Sequence, residues 1–116
     1  IPAEYAYFKT RHVNDELKLY LTSIFDFEIY PQYQLVYDGI PIHVDRGRVL
    51  AYNYLLHTGG DNVNTSIYDV KHQLLQSENL VTKKWHRINT SMPHCVHGIN
   101  PDKVRIAISI GIEKLS

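Results

Sequence analysis

The sequence of 116 residues is long enough for one domain and too short for two. Hydrophobic residues make up 44% of it and charged residues 21%, so the chain can close a core. Twelve basic residues balance twelve acidic ones, and no apolar run approaches the ~20 residues that cross a bilayer. Neither nucleic acid nor a membrane is therefore an expected partner.

Cys95 is the only cysteine, which excludes an intrachain disulfide. That cysteine usage fits a reducing compartment, and we predict a cytoplasmic location. The chain opens on Ile1-Pro2 without a leader pattern, as a processed or trimmed chain would.

The first predicted element is a helix over residues 14–25. Asn14 can cap it, and Asp15 and Glu16 suit its first turn. Apolar residues repeat at helical spacing along it: Val13, Leu17, Tyr20, Leu21 and Ile24.

After Pro31 the sequence changes to short β-rich runs separated by turn residues. The predicted strands are Tyr33–Tyr37, Ile40–Val44, Val49–Leu56, Asn64–Val70, Lys84–Asn89 and Val104–Ile112. Leu74–Val81 fits either a hairpin or a short helical turn. Because no helix separates the strands, they indicate a sandwich or barrel rather than a parallel α/β sheet.

His43-Val44-Asp45 sets a histidine and a carboxylate two residues apart. Residues i and i+2 of a strand point to the same face, about 7 Å apart, so both could bind one ion if a third ligand came from another strand. Taken alone, the triplet fits equally a surface strand with its polar residues outward.

The last strand alternates strictly, with five branched apolar residues on one face. Its other face carries Arg105 followed only by small residues, among them Ala107 and Ser109. Such a face leaves room for a small acidic ligand held by a guanidinium, although a half-exposed strand with a solvated arginine would show the same pattern.

Taken together, His43-Val-Asp45, a distal histidine after Pro93 and an arginine about ten residues further on resemble the iron(II)/2-oxoglutarate-dependent oxygenases. The intervening Arg48–Leu56 and Thr65–Tyr68 and the approach Trp85–Val96 resemble small phage and marine bacterial members. The resemblance covers roughly residues 33–112. It implies a double-stranded β-helix, a jelly-roll or cupin-like barrel over residues 31–116, with residues 1–30 as an N-terminal helical buttress of the same single domain.

The resemblance also implies the site. His43, Asp45 and His94 would bind Fe(II), with His97 as the alternative third ligand, because a strand turns only one of these two histidines inward. Arg105 would hold the distal carboxylate of 2-oxoglutarate, with Ser109 beside it. Tyr52 would join the cofactor-binding residues if its face of the strand points inward, and Asn53 would then point away.

The implied activity is a dioxygenase reaction in which 2-oxoglutarate is decarboxylated while a C–H bond of the substrate is hydroxylated. Dioxygen is the second cosubstrate, and a small molecule or a protein side chain is the substrate. Two other functions fit the same residues: a cupin-like protein that uses iron, manganese or zinc without 2-oxoglutarate, and a non-catalytic jelly-roll module that binds through its loops. The sequence leaves the substrate and the oligomeric state open.

Overall fold

The computed structural model describes residues 7–113. Within them, nine β-strands form two antiparallel sheets, and there is one helix. The strands are β1 Phe8–His12, β2 Gln32–Val36, β3 Ile40–His43, β4 Arg48–Thr58, β5 Asn64–Tyr68, β6 Leu74–Glu78, β7 Trp85–Ile88, β8 His94–His97 and β9 Arg105–Glu113, and α1 spans Asp15–Thr22. The larger sheet has the order β1-β2-β9-β4-β7 and the smaller one the order β3-β8-β5-β6. This is the mainly β arrangement that the strand pattern predicts, in the jelly-roll form that the resemblance implies.

Strand β9 shows how the two faces of the larger sheet are used. Ile108 and Ile110 are buried against Leu21 of the helix and Ile29, on the outer face of the sheet. The intervening Ala107 packs instead with Leu55 and Leu80 on the inner face. The strict alternation of the sequence therefore separates an outer face under α1 from an inner face that looks towards the smaller sheet.

The helix begins where the sequence predicts. The Oδ1 atom of Asn14 accepts a hydrogen bond from the backbone N–H of Leu17 at 2.8 Å, as an N-cap residue does. It ends at Thr22 rather than near residue 25, because the N–H groups of Ile24 and Phe25 bond three residues back, to Leu21 and Thr22, in tighter turns. Two residues of the predicted apolar stripe are exposed: Tyr20 within the helix and Ile24 beyond its end.

The segment predicted as a helical buttress also contains a strand. This strand is β1, which pairs with β2 at the edge of the larger sheet. Residues 1–6 of the segment lie outside the described part of the chain. The undecided segment Leu74–Val81 forms β6, which pairs with β5 as the second strand of a hairpin. No helix in residues 7–113 is long and apolar enough to cross a membrane.

Candidate metal centre

Two histidines from neighbouring strands of the smaller sheet face each other. The pairing of β3 with β8 makes His43 and His94 direct cross-strand partners, and their ring centroids lie 4.2 Å apart. Cross-strand partners project from the same face of a sheet, so both imidazoles reach the same place. His94 is buried, whereas His43 is partly exposed.

Asp45 completes the cluster from just beyond the end of β3. Its backbone N–H donates to the carbonyl oxygen of Thr90 at 3.1 Å, which holds the segment after the strand in place. Its Oδ1 atom then lies 3.3 Å from Nε2 of His43 and 3.3 Å from Nε2 of His94. The structure thus brings together all three residues that the sequence singled out as ligands, with ligand atoms within 4.8 Å of one another.

The hydrogen bonds of the imidazoles suit metal binding. Nδ1 of His43 lies 2.7 Å from the carbonyl oxygen of Pro41, and Nδ1 of His94 lies 2.8 Å from that of Met92. Each Nδ1 therefore carries a proton, so Nε2 is the nitrogen that faces Asp45: when it is protonated it donates to the carboxylate, and in the neutral ring its lone pair is available to an ion. An ion bound about 2.0–2.2 Å from each ligand needs ligand atoms roughly 3 Å apart, so the donor set fits a divalent ion.

Arg48 fixes the orientation of the carboxylate, and the sequence did not identify it as a site residue. Its Nε and Nη2 atoms lie 2.8 and 2.7 Å from Oδ2 of Asp45. Oδ2 is thereby occupied, and Oδ1 is the oxygen left for an ion. An arginine three residues after a proposed ligand was the only available signal, and that spacing is common by chance.

The charges of the cluster keep the carboxylate ionised. Burial acts to raise the pKa of Asp45, but hydrogen bonds from His43, His94 and Arg48 outweigh it and hold that pKa well below its usual range. The hydrogen bond to Asp45 in turn raises the pKa of His43, against an opposing effect of burial.

Gly111 of β9 makes room for Arg48. A Cβ atom at this glycine would lie 2.2 Å from Cδ of Arg48, closer than any real contact. We expect Gly111→Ala to push the guanidinium off Asp45. Metal binding should then weaken roughly 10–100-fold, the usual effect of losing a side chain that orients a metal ligand. Gly47→Ala is the matched control because its Cβ would meet nothing within 4 Å. A metal titration that gives equal dissociation constants for both variants would show that Arg48 does not orient the ligand.

His97, the alternative third ligand, points the other way. It is exposed, and its Nε2 atom lies 3.2 Å from Oγ of Ser66 on the outer face of the smaller sheet. His94 lies three residues earlier in the same short strand, and the alternation of a strand turns the two in opposite directions. The structure therefore brings His94, and not His97, to His43 and Asp45.

Arg105 lies inside the barrel with an exposed fraction of 4%. Its Nε donates to the carbonyl oxygen of Thr58 at 2.9 Å and its Nη1 to Oγ1 of Thr65 at 3.0 Å. Its Nη2 is buried and has no hydrogen-bond partner among the described residues. Burial lowers the pKa of Arg105 to about 10, so the side chain is still a cation at neutral pH.

Arg105 and the two histidines line one interior cavity of about 60 Å³. A cleft of about 330 Å³ adjoins this cavity and reaches the surface beside Asp45. His43 and Arg48 line both spaces, so the proposed ion position lies where they meet.

The two other residues predicted to contact the cofactor, Ser109 and Tyr52, lie outside this cavity. Ser109 is buried, but it lines the outer cleft and its Oγ lies 3.5 Å from Nη1 of Arg48. Tyr52 packs on the outer face of the sheet against the ring of Phe25, with ring centroids 6.1 Å apart. The assignment of Tyr52 to the site is therefore wrong, because β4 turns Asn53 into the cavity instead.

Comparisons with known proteins add the fold class. No protein-family model matches the sequence, and no curated protein matches it. Among solved structures, hydroxypropylphosphonic acid epoxidase from S. wedmorenis, in complex with fosfomycin, aligns over 97% of this chain with a TM-score of 0.61 at 11% identity. A single-substitution variant of oxalate decarboxylase from B. subtilis aligns over 100% of the chain with a TM-score of 0.59 at 9% identity. Fe(II)-HppE with the alternative substrate (S)-1-HPP has a TM-score of 0.57 at 11% identity.

At such low identities the similarity establishes the fold. The chain spans 55% of the epoxidase and 28% of the oxalate decarboxylase. Together with the two antiparallel sheets, these structures define a jelly-roll barrel of the cupin type. The cluster of His43, Asp45 and His94 gives that barrel a possible metal site.

Proposed function

We propose that this protein is an Fe(II)/2-oxoglutarate-dependent dioxygenase, most simply a hydroxylase of a substrate still to be identified. One observation carries the proposal above others. The buried cation Arg105 lines the cavity that His43 and His94 also line, and its Nη2 atom has no hydrogen-bond partner among the described residues. A metal site alone does not require a second positive charge inside the barrel, whereas a dianionic cosubstrate does.

The ligand set supports iron. Two histidines and one carboxylate on one face of the ion leave three positions open, as non-haem Fe(II) oxygenases require. Two of the similar solved structures are of one enzyme, HppE, in its Fe(II) form. Bound iron would supply the redox chemistry by which dioxygen oxidises a C–H bond while 2-oxoglutarate loses carbon dioxide and becomes succinate.

The residues around the ion position would bind and orient the cosubstrate. Arg105 would pair with the distal carboxylate of the cosubstrate, and its bonds to Thr58 and Thr65 hold the guanidinium in one direction. A cavity of about 60 Å³ holds roughly two water molecules, so a dicarboxylate would extend from it into the adjoining cleft. The apolar residues of the cavity lining, among them Val36, Leu55 and Val96, would help to exclude bulk water from the cosubstrate.

A cupin-like metalloprotein without 2-oxoglutarate is the second candidate, and the small cavity favours it. In that protein Arg105 would only join β9 to the neighbouring strands through Thr58 and Thr65. The ion could then be iron, manganese or zinc, since zinc also accepts two histidines and a carboxylate.

Anaerobic addition of Fe(II) and then of 2-oxoglutarate tests the proposal. We expect the visible charge-transfer absorption of the iron–2-oxoglutarate chelate to appear, and to be absent when glutarate replaces 2-oxoglutarate, because glutarate lacks the 2-oxo group that completes the chelate. Metal binding without this absorption would favour the cupin-like candidate. A protein that binds no metal would leave the non-catalytic jelly-roll module as the better account.

A further inference from the structure

Three residues that each have a buried polar atom without a partner line one cavity. Among the described residues, four buried side-chain nitrogen or oxygen atoms lack a hydrogen-bond partner: Tyr37 Oη, Asn53 Oδ1, Thr90 Oγ1 and Arg105 Nη2. The last three residues line the interior cavity of about 60 Å³. Buried polar groups are nearly always satisfied in folded proteins, so three exceptions facing one space indicate a polar occupant.

Two of these residues lie at the metal end of the cavity. The carbonyl oxygen of Thr90 accepts the N–H of Asp45 at 3.1 Å, and the Thr90 side chain is only 2% exposed. Asn53 is the cross-strand partner of Ser109, which contacts Arg48. Arg105 lies four residues before Ser109 on the same strand, about 13 Å away at the backbone.

We propose that Asn53 and Thr90 form a neutral polar contact, the proximal contact, for the end of the cavity ligand that lies nearest the metal. Arg105 would hold the opposite, anionic end. This inference rests on the proposed function and deepens it, because it adds two specificity-determining residues to the cosubstrate site.

The chemistry of the pair points to the kind of ligand. A hydroxyl and an amide can each donate or accept, and neither carries charge. They suit oxo or carboxylate oxygens whose negative charge the ion already offsets, whereas the distal end needs the cation of Arg105. The polar groups along the cavity therefore match an oxo-dicarboxylate that extends into the adjoining cleft better than a monocarboxylate.

Stability measurements separate a ligand contact from a structural one. Thr90→Val removes a hydroxyl that has no partner, so the unfolding midpoint of the metal-free, ligand-free protein should stay unchanged or rise. Thr65→Val is the matched control, since that buried hydroxyl accepts a hydrogen bond from Arg105. Its loss should lower the midpoint.

Binding measurements then test the role directly. Zinc-loaded protein, which cannot turn over, would be titrated with 2-oxoglutarate by calorimetry. We expect Thr90→Val and Asn53→Leu each to weaken binding about five- to tenfold, the effect of one lost hydrogen bond. Ile88→Val removes a methyl group from the same cavity without a polar atom and should change the dissociation constant less than about twofold.

Two results would overturn the proximal contact: variants that bind 2-oxoglutarate as tightly as the parent, or a midpoint lowered as much by Thr90→Val as by Thr65→Val. If the parent itself binds no 2-oxoglutarate, the proposed cosubstrate fails. The proximal contact, which rests on that cosubstrate, is then overturned with it, whereas a parent that binds 2-oxoglutarate and variants that bind it equally tightly overturn the proximal contact alone.

Discussion

Replacing His94 by alanine should nearly abolish metal retention. The Nε2 atom of His94 lies 3.3 Å from Oδ1 of Asp45, and its ring faces that of His43 across the β3–β8 pairing. With three protein ligands in the site, the loss of one leaves an ion held by two. The dissociation constant for the metal should therefore rise by more than the roughly 10–100-fold that follows the loss of a side chain orienting a ligand. Metal content after dialysis and a competitive titration with a chromophoric chelator measure this directly.

His97→Ala is the matched control, because the two histidines share one short strand and differ in direction. His97 is exposed and contacts Ser66 on the outer face of the sheet. Its removal should leave metal affinity unchanged and alter the free energy of unfolding by about 0.5 kcal/mol or less.

The unfolding midpoints of both metal-free variants separate lost ligation from lost structure, because Nδ1 of His94 also bonds the carbonyl oxygen of Met92. The opposite pattern, with metal lost only from His97→Ala, would move the third ligand by three residues. Unchanged metal binding in both variants would show that the proposed triad is wrong.

The sequence predicts the parts of this fold where one face is apolar and the other is not. The alternation from Val104 to Ile112 places β9 correctly and assigns Arg105 to the inner face. The spacing of His43 and Asp45 likewise puts both side chains on one side of the chain. For β9 the period of a strand is sufficient to interpret the pattern, whereas Asp45 lies just beyond the end of β3 and is held there by its backbone hydrogen bond to Thr90.

The strands that the sequence misses or leaves open carry no such pattern. All five residues of β6 are exposed, so pairing with β5 rather than burial determines its conformation. Strand β4 presents the opposite difficulty, because both of its faces are covered. Leu55 packs in the interior and Tyr52 packs under the helix, so hydrophobicity cannot tell which face points inward. The choice of Tyr52 over Asn53 failed for this reason.

Arg48 and Gly111 could not have been paired from the sequence. They lie 63 positions apart, and their relation is a close approach of a side chain to a backbone across two paired strands. Neither residue type is unusual at its position. Only the tertiary structure reveals that the glycine admits the arginine and that the arginine in turn orients Asp45.

Replacing Arg105 by methionine should remove most of the affinity for 2-oxoglutarate. Methionine keeps the aliphatic bulk and removes the charge, so the buried end of the cavity loses its cation without leaving a large void. A charge-assisted hydrogen bond or bidentate pair contributes about 1.5–3 kcal/mol, which corresponds to a weakening of roughly 10–150-fold. Calorimetric titration of zinc-loaded protein with 2-oxoglutarate provides the measurement.

Two comparisons show whether the loss comes from the anchor itself. Arg105 also bonds Thr58 and Thr65, so the methionine variant should unfold at a lower temperature. It should retain its metal, because Arg105 is not one of the three ligands. Arg105→Lys keeps the charge but not the fork of donors, and should bind 2-oxoglutarate with an affinity between those of the parent and the methionine variant. If the methionine variant binds the cosubstrate as the parent does while both retain metal, Arg105 is a structural cation, and the cupin-like metalloprotein without 2-oxoglutarate becomes the better description of this barrel.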